Sequence, residues 1–248
     1  MIAIIVALDS EFVAFEAKLS KCVKLDAPFV LLQGEISGKE VLVCQSGIGK
    51  TEAAMTITHL LNNFSIDLVI NSGTAGGLRS EQNFKDLLIA ETTAYHDMYF
   101  DQFSNNVEDL IPFTAKLPIS LINLIANCAT ELSLPYHRGL LVSGDQFIQT
   151  HEQIDKILKR YPKSIAVDME SNSLAQVAKR YQTPFVVIRS LSDICLNASP
   201  EDYYRYGQAA SINAAMLIEN FLNKLDFNII KKSEPISTDN SIRIDTSI

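Results

Sequence analysis

Carboxylates stand where runs of apolar residues stop. Ile165-Ala166-Val167 ends at Asp168 and Glu170, Phe185 to Ile188 ends at Arg189 with Asp193 four residues on, and Met1 to Leu8 ends at Asp9-Ser10-Glu11. In parallel sheets, ligands collect beyond the carboxyl ends of the strands. Glu170 and Asp193, delivered there from separate strands, form a candidate acid–base pair, and Glu11 is a third acid of the same kind. Each also has a plainer reading. Glu170 and Glu11 suit the first turn of a helix, where a carboxylate meets the positive end of the dipole, and Asp193 could cap a loop.

The elements that would hold these acids follow from pattern. Between Asp168 and Asp193, apolar residues at Leu174, Val177, Ala178 and Tyr181 keep helical spacing, and Pro184 restarts an extended β-branched run. Strand, helix and strand so close together predict a right-handed crossover between parallel strands. The first strand passes into a helix through Phe12, Phe15 and Leu19. Residues 28–35 and 40–45, joined by Ser37-Gly38-Lys39, predict a hairpin. Asp67 to Asn71, 87–90 and 139–142 read as further strands, and 119–132, 151–161 and 200–225 as helices. Residues 104–118 read as a loop, and 226–248 as a polar, flexible C-terminal tail.

Other motifs carry weaker signals. Ser46-Gly47-Ile48-Gly49-Lys50-Thr51 invites comparison with a nucleotide-binding P-loop, but Cys44 occupies the place of that motif's first glycine. The turn serves better as a close approach of backbone to a ligand. Ser72 to Gly77 is small enough to line a crevice. His96-Asp97 could be a dyad, yet adjacent residues seldom face one another, which favours a structural hydrogen bond. Phe147 could stack on a planar ring, with backbone of Ile148 beside it.

Composition bounds the partners. The chain has 248 residues, 47% apolar and 20% charged, enough for one large domain. A formal charge of −8 argues against nucleic acid or an anionic membrane as partner. The four cysteines are scattered, as expected of reduced thiols in a cytoplasmic protein. No run is long enough to span a bilayer, and the N-terminal apolar run is too short for a signal sequence. His59, His96, His137 and His151 lack metal-ligand spacing, so neither a metal nor a cofactor is expected.

Taken in order, these motifs resemble those of the 5′-methylthioadenosine/S-adenosylhomocysteine nucleosidases within the nucleoside phosphorylase superfamily. The matching pieces are the strand ending in Glu11, Ser-Gly-Ile-Gly-Lys at 46–50 and Asn-Ser-Gly-Thr-Ala-Gly-Gly at 71–77. Tyr-His-Asp at 95–97, the run from Arg138 to Ile148, Ala-Val-Asp-Met-Glu at 166–170 and the run from Pro184 to Asp193 complete the set. The resemblance implies a single α/β domain over 1–225, with a central mixed twisted sheet flanked by helices in a three-layer sandwich. It also implies a homodimer in which one subunit closes the other's alkylthio pocket.

The resemblance further implies roles. Asp193 would protonate adenine N7, Glu170 would hold the ribose hydroxyls, and Glu11 would activate water, positioned with Thr74 and Arg189. Phe147 and Ile148 would contact adenine, Met169 would pack under the ribose, and Ser192 would join the binding residues. Leu8, Ile48 and Phe100 would line the alkylthio pocket. The chemistry is coherent, because an oxocarbenium-like transition state gains from anions near the sugar and a proton on the base. Asp193 would then need a raised pKa, from burial or a neighbouring carboxylate.

Water is expected as nucleophile, since Val69 to Gly73 lacks the arginine with which the phosphorylases hold phosphate. Met98-Tyr99-Phe100 and the tyrosines at 203, 204 and 206 depart from the family pattern near the 5′ substituent. Alternatives are therefore a nucleosidase for another 5′-modified nucleoside, aminofutalosine-like, a purine nucleoside phosphorylase, or a silent nucleoside-binding protein.

Overall fold

The structure, a computed structural model, describes residues 1–98, 113–195 and 200–242, with the side chains of 200–204 excepted. The strands are β1 (Ile2–Val6), β2 (Ser20–Lys24), β3 (Val30–Ile36), β4 (Lys39–Gln45), β5 (Leu68–Gly77) and β6 (Leu87–Tyr95). They continue with β7 (Ala115–Lys116), β8 (Tyr136–Ser143), β9 (Ser164–Asp168) and β10 (Phe185–Ile194). The helices are α1 (Asp9–Glu16), α2 (Lys50–Asn63), α3 (Ile119–Glu131), α4 (His151–Arg160), α5 (Ser171–Tyr181), α6 (Pro200–Lys224) and α7 (Phe227–Lys231).

The expected mixed sheet flanked by helices is present in one α/β domain. Its order runs β10-β6-β8-β9-β5-β1-β4-β3-β2, and a further pairing of β10 with β5 closes the first five strands on themselves. β1 lies parallel to both β4 and β5, while β3 pairs antiparallel with β2 and β4 as the predicted hairpin edge. Helices α1 and α3 each pack against α6, and α2 packs with α5. Every residue of β1 and of β10 is buried, as the apolar runs Ile2–Val6 and Phe185–Ile188 predict for strands covered on both faces, and β10 continues beyond its run through Arg189 and Asp193 to Ile194.

Closure corrects one expectation. β9 and β10 are not parallel neighbours joined by α5. β9 pairs parallel with β8 and antiparallel with β5, whereas β10 pairs parallel with β5 and antiparallel with β6. The long strand β5 brings them together at its glycine end, where Gly76 faces Val167 on one side and Asp193 on the other. The acids still meet, by a different topology.

The C-terminal segment is also corrected. Over the described residues it does not trail away: α7 buries Ile230, Ser237 bridges to Lys116, and buried Asp239 accepts a hydrogen bond from the Thr92 hydroxyl. A buried isoleucine and a partnered carboxylate hold a segment whose composition carries no periodic signal. β2, exposed throughout, was not expected at all. Among the described residues no helix is long and apolar enough to cross a membrane.

Candidate active site

A cavity of about 490 Å³ opens where β1, β5, β9 and β10 end. Glu11, Glu170 and Asp193 all line it, as do Leu8, Ile48, Thr74, Phe147, Ile148, Met169, Arg189 and Ser192. The three acids come from α1, the start of α5 and β10, and all are buried. Phe100 lies outside the described residues.

Glu11 sits at the third position of α1 and does cap it: Oε2 accepts the amides of Ala7 (2.9 Å) and Leu8 (3.1 Å). Its other oxygen faces β5 and accepts the Thr74 amide (2.8 Å) and hydroxyl (2.9 Å). A Cβ on Gly73, whose φ is +125°, would fall 2.5 Å from this carboxylate, so only glycine lets β5 pass it. The helix-cap reading and the site reading of Glu11 therefore describe one carboxylate.

Glu170 and Arg189 form the buried charge centre. Arg189 donates through Nη2 to Glu170 Oε2 (3.1 Å) and Asn71 Oδ1 (2.9 Å), pairs with Asp168 Oδ2 at 2.7 Å, and reaches the Thr74 carbonyl through Nη1 (3.2 Å). The amide of Gly49 donates to Glu170 Oε1 (2.8 Å). Burial pushes the Glu170 carboxyl up to about 7; Arg189 and the Gly49 amide oppose this, while Asp168 and Glu11 add to it. Burial disfavours the Arg189 charge, but the carboxylates around it outweigh burial and hold its pKa above the usual value.

Asp193 is 3% exposed. Its Oδ1 accepts the Ser192 hydroxyl (2.8 Å), and Oδ2 lies 3.6 Å from the Cys195 thiol. Burial and the adjacent Asp193 keep that thiol protonated and able to donate. The rest of the wall is apolar or aromatic, with Phe147 half exposed at the rim and Ile148 buried behind it.

Asp168, which the sequence marks only as a strand-end acid, and Asn71 and Cys195 were given no role in the site. Asp168 is both a cavity residue and the shortest partner of Arg189, and its carboxylate also takes the hydroxyls of Ser143 and Ser171. A second acid two residues before Glu170 was the available signal. Nothing in the sequence marks Asn71 or Cys195. The P-loop likeness that the sequence set aside at Cys44 has no counterpart in space: the Gly49 amide holds Glu170, and Lys50 pairs with Asp97.

Comparison with known proteins adds the following. Residues 1–223 match the model of the phosphorylase superfamily. The 5′-methylthioadenosine/S-adenosylhomocysteine nucleosidase of Oceanobacillus iheyensis is 35% identical over 228 residues, covering 90% of this chain and 99% of that protein. The protein of that name from Staphylococcus aureus (strain JH9) is 32% identical, covering 91% and 100%. The nucleosidase from Neisseria meningitidis, solved in complex with methylthio-immucillin-A, superposes with a TM-score of 0.85 at 30% identity, covering 90% of this chain and 99% of that one.

Proposed function

The chain belongs to the phosphorylase superfamily and, within it, to the 5′-methylthioadenosine/S-adenosylhomocysteine nucleosidases, which are N-glycosidases. From that premise we propose that it hydrolyses the N-glycosidic bond of 5′-methylthioadenosine, S-adenosylhomocysteine or both. The products are adenine and the 5-thioribose. One observation carries the reading: three buried acids from separate elements share a single cavity with a buried arginine and an apolar wall.

In this reaction Asp193 protonates the purine at N7, so the base leaves neutral. The Ser192 hydroxyl and Cys195 thiol then receive the new carboxylate as hydrogen-bond donors. Glu170, anchored by the Gly49 amide and Arg189, accepts from the ribose hydroxyls and stabilises positive charge on the sugar. Glu11 takes a proton from water, with Thr74 beside it. Met169 packs under the ribose, Phe147 and Ile148 contact the base, and Leu8 and Ile48 face the alkylthio group. A positioned acid or base supplies ~10²–10⁴-fold. Enzymes need a barrier lowered by at least about 8 kcal/mol, so the acids must act together.

Water is favoured over phosphate by the cavity's charge. Among the described residues that line it, Arg189 is the only cation, and its guanidinium is engaged by Asp168 and Glu170. A phosphate dianion would meet four acids, Glu11, Asp168, Glu170 and Asp193, and no uncommitted cation among the described lining residues. Ile48 and Phe147 stand exposed at the rim (55% and 48%), which supports the homodimer in which a partner covers the alkylthio end. Light scattering on the purified protein tests that assembly. The cytoplasm, with its reduced thiols and nucleoside pool, is the proposed compartment. The functional test is base release over a panel of adenine nucleosides, aminofutalosine-like compounds included, with and without phosphate.

A further inference from the structure

Two features that the sequence singled out have no part in that reaction: the Lys50 side chain, next to the glycine that anchors Glu170, and the His96-Asp97 pair. The fold joins them beside the segment 144–150, which links β8 to α4 and carries Phe147 and Ile148. Lys50 Nζ lies 2.6 Å from Asp97 Oδ2 and 3.6 Å from Asp145 Oδ2. The Asp145 amide donates to the same Asp97 oxygen (2.9 Å), and the Lys50 amide donates to Asp145 Oδ1 (2.8 Å). One residue earlier, the Gly49 amide holds Glu170. The first turn of α2 thus grips the base end and the ribose end of the cavity at once.

The packing under this segment is tight. A Cβ on Gly144 would fall 2.4 Å from His96 Nε2 and 2.8 Å from Asp97 Cγ, so the chain lies directly on that pair. Burial lowers the His96 pKa against the pull of Asp97 and Asp168, and nearby Lys50 and Arg160 lower it further; the imidazole stays a neutral floor. Burial opposes the charge on Asp97, but the Lys50 ammonium and the Asp145 amide outweigh it and hold its carboxyl below the usual value. The ammonium also sits 5.4 Å over the Tyr95 ring. The Lys50 and Asp97 side chains are 26% and 16% exposed, shielded enough that salt screens them only weakly.

We propose that Lys50, Asp97 and Asp145 form a positioning network that fixes the Phe147–Ile148 segment over the purine, so that Lys50 and Asp97 set affinity for the base without touching it. This rests on Phe147 and Ile148 being the base contacts of the function proposed above. Phe147 is 48% exposed, and Asp145, two residues before it, is the point at which the segment is tied to Asp97 and Lys50.

The test compares Lys50→Met, Asp97→Asn and the double variant with wild type, by KM and kcat for the nucleoside and Kd for adenine. Loss of a charged hydrogen bond that orders the segment should raise KM and adenine Kd about tenfold or more, with kcat changing far less. The double variant should be no worse than the poorer single, because both break one network. A purely structural role would instead lower the active fraction, reducing kcat at unchanged KM. Gly144→Ala, which wedges a methyl between the segment and its floor, should give the same rise in KM and serves if Lys50→Met does not fold. Folded variants with wild-type KM and adenine Kd overturn the network while an active wild type keeps the functional reading. A wild type that releases adenine from no nucleoside overturns both.

Discussion

Glu11 and Thr74, 63 residues apart, share one carboxylate oxygen: Oε1 of Glu11 accepts both the amide and the hydroxyl of Thr74. The second oxygen holds the amides of Ala7 and Leu8, so four donors converge on one side chain. All four lone-pair directions of the carboxylate are in use. A water approaching Glu11 must displace one donor, and the Thr74 hydroxyl is the one free to rotate.

Glu11→Gln should lose activity and stability together. A carboxamide keeps one acceptor oxygen and turns an NH₂ toward the other pair of donors. Loss of the base costs ~10²–10⁴-fold in rate, and stranded buried donors cost about 1–3 kcal/mol. Steady-state assays and urea denaturation measure both. A variant with wild-type rate and midpoint would show that this carboxylate is neither base nor cap.

The pH profile should carry the mark of Glu170. With its carboxyl pushed up to about 7, and the ionised form needed to hold the ribose, kcat/KM should fall as pH drops through about 7. The sign for folding is opposite. Between the ordinary 4.5 and about 7 the native state keeps a proton that the unfolded chain has released, so this group's contribution to stability declines as pH rises. The site thus works in the ionisation state the fold favours less. A kcat/KM flat down to pH 5 would contradict this assignment.

Arg189→Met should unfold the protein more readily than any surface change. It strands the carboxylates of Asp168 and Glu170 in the interior. Breaking one side of a buried pair typically costs about 3–5 kcal/mol. Arg189→Lys keeps the charge but lacks the planar fork that reaches Asn71, Glu170 and the Thr74 carbonyl, so it should fall between the two. Denaturant midpoints rank the three proteins. An Arg189→Met variant as stable as wild type would mean that these charges are not sequestered.

What the sequence discloses follows from how each element is buried. β1 and the starts of β5 and β10 are buried and read as unbroken apolar runs, so these strands could be located. β5 and β10 continue past the predicted stops at Asn71 and Ile188, to Gly77 and Ile194, through small and polar residues that carry no strand signal. β2 is exposed along its length and shows no alternation, so it left no trace. Pairing is harder, because it depends on partners far along the chain. Adjacency suggested that β9 and β10 run parallel, and only the contact of Gly76 with Val167 and Asp193 reveals otherwise. The same limit hid the Asp168–Arg189 pair and the Lys50–Asp97 link, whose members are ordinary charged residues until folding brings them together.

The most direct measurement is adenine release from 5′-methylthioadenosine by the wild type and by Asp193→Asn, each with and without phosphate. A buried acid that protonates the leaving base predicts equal wild-type rates under both conditions, a free thioribose as the sugar product, and a variant slower by ~10²–10⁴-fold that still binds adenine. Release that requires phosphate, or an Asp193→Asn variant as fast as wild type, would contradict the account.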